Sequence, residues 1–139
     1  PEIDISALLP LILFSLWAVI LQIGLAFARA GAMVLTARHH FFKPIGDSDA
    51  LDAISRAHMN TVENLPVLSV VYVACLLVGA AAPVVSLGWW AFGARMAQSI
   101  VHISARTPNA VRLRALMQFV QIGCFAWLGI AAIIGALAA

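Results

Sequence analysis

The sequence predicts an all-α integral membrane protein, a single domain built as a bundle of four transmembrane helices. Three observations carry that expectation. Of the 139 residues, 63% are hydrophobic and 10% are charged, against about half and about a quarter in an ordinary soluble domain. The few charges are clustered, so long stretches carry none. Turn chemistry interrupts those stretches at intervals that suit membrane spans. The same composition excludes a disordered chain. With a net charge of only +2, it also excludes a nucleic-acid-binding module, so no nucleic-acid partner is expected.

Helix 1 is expected over residues 6–37. No charge occurs from Ile5 to Ala28, a run of 24 residues, and a span needs about 20. The end of the helix is marked by Arg38-His39-His40 and then Lys43-Pro44-Ile45-Gly46. It is not expected to be a cleaved signal, because no basic segment precedes the apolar run and the helix is long enough to cross. Helix 2 is expected over residues 48–79. Asp47 or Ser48 can cap it, Asp49 and Asp52 suit the positive end of its dipole, and Pro66 should kink it.

The middle of the chain holds 31 uncharged residues, Asn64 to Ala94. Two spans and a turn need about 43, so two spans must take in Glu63 and Arg95. The rival is one long span with those charges at its two ends. Gly79-Ala-Ala-Ala-Pro83 and Ser86-Leu-Gly88 are turn chemistry, and Trp89-Trp90 reads as an interfacial aromatic pair, so two spans are favoured. Helix 3 is then expected over residues 84–106. Helix 4 is expected over residues 108–138, with Thr107 as its cap and Pro108 in the first helical position. No charge follows Arg114.

Lys and Arg occur in the first and third loops and not between Ala80 and Gly88. The positive-inside rule puts both basic loops in the cytoplasm and both termini outside; the location expected is a bacterial inner membrane, which makes the termini periplasmic. Cys75 and Cys124 lie in apolar spans and read as small packing residues rather than a disulfide. His39-His40 is an adjacent pair that cannot share a helix face. It reads as interfacial polarity, and no metal site is expected.

Three helices carry polar stripes. Arg56, Asn60 and Glu63 fall at i, i+4 and i+7 on helix 2. Arg95, Gln98 and His102 fall at i, i+3 and i+7 on helix 3, continued by Arg106. Arg114, Gln118 and Gln121 do the same on helix 4. A charge at mid-span costs about 2.5–3.5 kcal/mol on insertion scales, so such groups face protein or a wet cavity. The simplest arrangement gathers the stripes around one polar cavity near the cytoplasmic face. Interhelical bonding alone is the competing account, with Glu63 paired to an Arg and with Asn60 and Gln98 bonding across helices. A Glu63–Arg95 pair would need a long reach, because Arg95 lies nearer the middle of the bilayer. For Arg38, Arg106, Arg112 and Arg114 the competing account is positive-inside anchoring.

Arg56-Ala-His58-Met-Asn60-Thr-Val-Glu63-Asn-Leu-Pro66 resembles the helix-2 signature of the MAPEG family, the membrane-associated proteins in eicosanoid and glutathione metabolism. Ala94-Arg95-Met-Ala-Gln98-Ser-Ile-Val-His102 is similar to its helix-3 segment, with Gln98 where several members have His or Tyr and His102 where Tyr is frequent. Arg112-Leu-Arg114 resembles the arginine that opens helix 4. The resemblance implies a homotrimer with glutathione held between subunits at the cytoplasmic side. Arg56, Asn60 and Glu63 would hold the cofactor, with Arg38 assisting and Gln98 and His102 contributing from helix 3. Arg112 or Arg114 would stabilise the glutathione thiolate, since a nearby cation lowers a thiol pKa and the thiolate is the nucleophile.

The expected function is a glutathione-dependent transferase or peroxidase acting on hydrophobic small molecules that partition from the lipid bilayer. The alternative is a non-catalytic lipid-binding protein or scaffold, such as an accessory subunit of a larger membrane complex. A transporter is disfavoured, because four short helices offer no broken-helix repeat.

Overall fold

The computed structural model describes residues 5–36, 42–43 and 45–138. Arg38, His39 and His40 lie outside the described residues. A 3-10 turn, Ile5–Leu8, leads into α1 (Leu9–Thr36), followed by α2 (Asp49–Leu77), α3 (Ala81–Ser104) and α4 (Pro108–Ala138). Among the described residues there is no strand. Three helical stretches, Ile5–Leu35, Asp49–Leu77 and Pro108–Ala138, are long and apolar enough to cross a membrane. With 24 residues, α3 is about 36 Å long. It carries Arg95, Gln98, Ser99 and His102, which lower its hydropathy.

The helix ends follow from local chemistry. Ser48 rather than Asp47 caps α2, its hydroxyl accepting from the Leu51 N–H at 3.3 Å. The other end of α2 closes with Gly79 at φ 81°. There the Gly79 N–H donates to the Leu76 carbonyl at 3.2 Å and the Ala80 N–H to the Cys75 carbonyl at 3.0 Å. This paired closure needs a residue at positive φ, which glycine supplies without a Cβ penalty. The α2–α3 turn is therefore far shorter than Ala80–Gly88. The third helix starts at Ala81 rather than Val84, because Pro83 is tolerated in a first turn whose N–H groups have no helical acceptor. At the start of α4 the Thr107 hydroxyl accepts from the Ala110 N–H at 3.2 Å, and Pro108 is the first helical residue.

Gly88 is a packing residue and not part of a turn. A Cβ there would stand 2.5 Å from Cε2 of Tyr72 and 2.9 Å from Cβ of Pro10. Its bareness lets α3 meet Tyr72 of α2 and the start of α1 at once. Tyr72 is fully buried, and its hydroxyl donates to the Ala7 carbonyl at 2.6 Å. Phe14, Leu68, Cys75, Val84, Ala91, Cys124 and Leu128 complete the core around it. Both cysteines are buried and free, and the Cys75 thiol donates to the Leu128 carbonyl at 2.9 Å. The central helices are α2 and α3; α1 packs on both, α4 packs on both, and among the described residues α1 does not pack on α4.

Gly88→Ala should destabilise the protein by about 1–3 kcal/mol, the usual cost of overpacking a core. Gly93→Ala should be near neutral, since nothing lies within 4 Å of its Cβ position. Thermal unfolding of both variants in the same detergent checks the contrast.

Candidate functional site

Where α2 begins, α3 ends and α4 begins, the bundle holds a cavity of about 190 Å³. Asp49, Asp52, Ala53 and Arg56 line it from α2, His102 from α3, Arg106 from the α3–α4 link and Arg114 from α4. The position of Arg56 follows from the core face of α2. Ala53, Ala57, Thr61 and Leu68 are buried, and Arg56 precedes Ala57, about 100° round the helix. Its long side chain reaches the cavity from the edge of that face. Asp49, Asp52 and Arg56 fall at i, i+3 and i+7, which puts them on one side of the helix.

The cavity walls are tied to their surroundings. Asp52 Oδ1 accepts from the backbone N–H groups of Gly46 at 2.8 Å and Asp47 at 3.3 Å. Asp47 Oδ2 accepts from the Lys43 N–H at 2.8 Å. Gly46 adopts φ 101°, which again favours glycine. Arg106 forms an ion pair with Asp49 across the mouth, with side chains 51% and 88% exposed. The guanidinium groups of Arg56 and Arg114 have no hydrogen-bond or ion-pair partner among the described residues. Both act electrostatically on His102, as does Arg95. The cavity therefore presents two uncompensated cations, an imidazole and the carboxylate of Asp52.

The polar stripes do not all converge here. Deeper in the bundle, those of α3 and α4 turn to each other. Gln98 Nε2 donates to the Arg114 carbonyl at 3.1 Å and to Gln118 Oε1 at 3.2 Å. Gln121 Nε2 donates to Gln98 Oε1 at 3.0 Å. Arg95 Nη2 reaches Gln118 Oε1 at 3.4 Å. The α2 stripe is split: Arg56 lines the cavity, whereas Asn60 is half-buried, Glu63 is exposed, and neither lines it. Glu63 is near enough for its charge to act on Arg95, but among the described residues the two form no ion pair.

Of the residues singled out by sequence, the structure brings Arg56, His102 and Arg114 together at the cavity. Gln98 lies in the α3–α4 network, Asn60 and Glu63 face away, and Arg38 falls outside the described residues. Arg112 is exposed and does not line the cavity. Asp49 and Asp52 were legible only as partners of the helix dipole, whereas Arg106 was legible both as a topogenic charge and as the continuation of the helix-3 stripe. The shared face of Asp49, Asp52 and Arg56 was the signal that could have marked them. Among the described residues no group of three or more His, Cys, Asp or Glu side chains could hold a metal.

A model of the MAPEG family matches residues 7–134. The chain belongs to the MAPEG family. The match spans all four helices and every residue lining the cavity. No curated protein matches the sequence. Membership and the three long apolar helices make this an integral membrane protein. In this MAPEG chain the buried cation of α3 is met by Gln118 of α4, and two cations without an ion-pair partner among the described residues, Arg56 and Arg114, line the cavity.

The Asp49–Arg106 pair should matter little to folding, because exposed pairs contribute about 0–1 kcal/mol. A double-mutant cycle with Asp49→Ala and Arg106→Ala, read by thermal unfolding, should give a coupling in that range and a weaker one at high salt.

Proposed function

We propose that this protein is a membrane-embedded glutathione-dependent transferase or peroxidase acting on hydrophobic electrophiles. Its functional form is a homotrimer with the sites at the cytoplasmic side. The observation that carries the reading is the charge pattern of the cavity. Arg106 and Asp49 neutralise each other, leaving Arg56 and Arg114 against Asp52. The complement is a small molecule with two anionic groups and one cationic group. Glutathione bound as its thiolate offers that pattern, with a carboxylate for Arg56, the sulfur anion for Arg114 and an ammonium for Asp52, its second carboxylate lying outside the cavity. Membership of a family that includes glutathione transferases and peroxidases supports the same ligand.

The chemistry follows from the arginines. Arg56 holds a carboxylate through charge-assisted hydrogen bonds. Arg114 stabilises the thiolate over the thiol, so the sulfur is ionised when an electrophile arrives from the bilayer. The thiolate sulfur forms a bond to the electrophilic carbon, and the leaving group departs with the bonding electrons. Arg114 is preferred to Arg112 for this role because it lines the cavity and Arg112 does not. Glu63 and Asn60 serve the site from an outward face. A carboxylate turned to lipid costs about 2.5–3.5 kcal/mol near mid-span, so the exposed Glu63 supports a second copy packed on that face. Under this arrangement ligand contacts from α2 are completed at a subunit boundary.

Arg114→Ala should retain most glutathione binding and lose the thiolate absorption in the ultraviolet, whereas Arg112→Ala should keep both. Glu63→Gln should weaken binding by about 1.5–3 kcal/mol, the scale of a hydrogen bond to a charged group. Calorimetric titration alongside the ultraviolet signal separates the two effects. A Glu63→Gln variant that melts early yet binds glutathione normally would reject the assignment and favour the scaffold alternative.

The assembly is checked separately. Native mass spectrometry at low detergent should show three copies, and a monomer alone would count against a shared site.

A further inference from the structure

We infer that Gln98 is a positioning residue for Arg114: its side-chain amide pins the first turns of α4 to α3 and so fixes where that arginine stands in the cavity. This rests on the proposed role of Arg114 and extends it to a residue that does not line the cavity. Gln98 is only 5% exposed. Its amide is fully engaged away from the cavity, donating to the Arg114 carbonyl and Gln118 and accepting from Gln121. An amide so committed has little capacity left for a ligand.

The Arg114 carbonyl is the link between the network and the site. Its atoms belong to the same residue whose guanidinium enters the cavity, so the hydrogen bond acts on the backbone that carries the cation. Gln118, one turn further along α4, takes a second bond from Gln98 and one from Arg95. Gln121 locks the orientation of the Gln98 amide, since its Nε2 also donates to the Met117 carbonyl at 3.0 Å. These contacts set both the rotation and the axial register of α4 against α3. Arg56 and His102 sit on other helices, so the distance from Arg114 to each depends on that register. Electrostatic stabilisation of a developing or settled anion is sensitive to placement, and a misplacement of about 1 Å can cost about a hundredfold in rate.

Gln98→Met keeps the length and bulk of the side chain while removing its donor and acceptor. Gln121→Leu removes the lock from a residue that lies outside the cavity. Both variants are measured as intact protein in detergent, with glutathione as the probe. The ultraviolet thiolate signal is followed against pH, affinity by calorimetry, and backbone hydrogen exchange over residues 110–118. If Gln98 positions Arg114, Gln98→Met raises the midpoint of the bound thiol titration by about one pH unit, or about tenfold less thiolate. Affinity at low pH stays near that of the unmodified protein, and exchange quickens in the first turns of α4. Gln121→Leu moves the same readouts in the same direction by less.

A loss of affinity with an unmoved titration would overturn the inference, because Gln98 would then be touching the ligand. Lower thermal stability with titration and exchange unchanged would overturn it as well, leaving Gln98 a packing residue. If the unmodified protein gives no thiolate signal with glutathione, the functional reading itself fails and takes this inference with it. That failure is distinguishable, since in the other two the unmodified protein still ionises the thiol.

Discussion

A guanidinium that is 1% exposed lies at the centre of this bundle. Burying a charge among apolar helices is costly unless its surroundings satisfy it, and Arg95 is met sparingly. One nitrogen reaches Gln118, and Nε has no hydrogen-bond partner among the described residues. The charge of Glu63 acts on it from α2 without forming a pair. Much else in the structure is arranged around this group. It reduces the hydropathy of α3, which then depends on its neighbours for burial. It shares the Gln118 side chain of α4 with Gln98 and so joins the polar contact between α3 and α4.

From this centre the polar character changes steadily towards the basic end. Amides bond to amides around Gln98. One helical turn on, His102 stands between arginines, and at the mouth an exposed ion pair closes the rim. The sequence of environments runs from buried and sparingly satisfied to open and lined with charge. A small anionic ligand entering from the aqueous side meets cations first, while a hydrophobic partner can approach through the apolar flanks of the same helices. Under the proposed function, that arrangement brings two immiscible reactants to adjoining surfaces.

The four helices were legible because their boundaries are local. Thr107-Pro108 and Asp47-Ser48 act through neighbouring backbone groups, and each marked a helix start. The start of α3 was misread because one glycine-rich stretch contains two different glycines. Gly79 turns the chain through its positive φ, and Gly88 admits Tyr72 and Pro10, which are distant in sequence. Only the first role is local. The site shows the same division. Periodicity put Arg56, His102 and Arg114 on polar faces, and the fold brings those faces together. It left open whether Gln98 would face a cavity or bond across helices, as it does to α4, and could not foretell that Asn60 and Glu63 would lie off the cavity. Those outcomes depend on how each helix is rotated, which is fixed by packing at Ala53, Ala57, Thr61 and Leu68. Asp49 and Asp52 escaped notice because a first-turn acid is already explained by the helix dipole.

The Ala7 carbonyl accepts its hydrogen bond from a tyrosine 65 residues further along the chain, and Pro10 packs where Gly88 makes room. The start of α1 is thus fastened by segments that follow it in the chain. During synthesis α1 is made before its tyrosine partner, and the carbonyl of Ala7 gains that bond only once α2 is in place. The bundle is closed from α2 and α3 back to α1, so a lesion at Gly88 would leave α1 without its mooring.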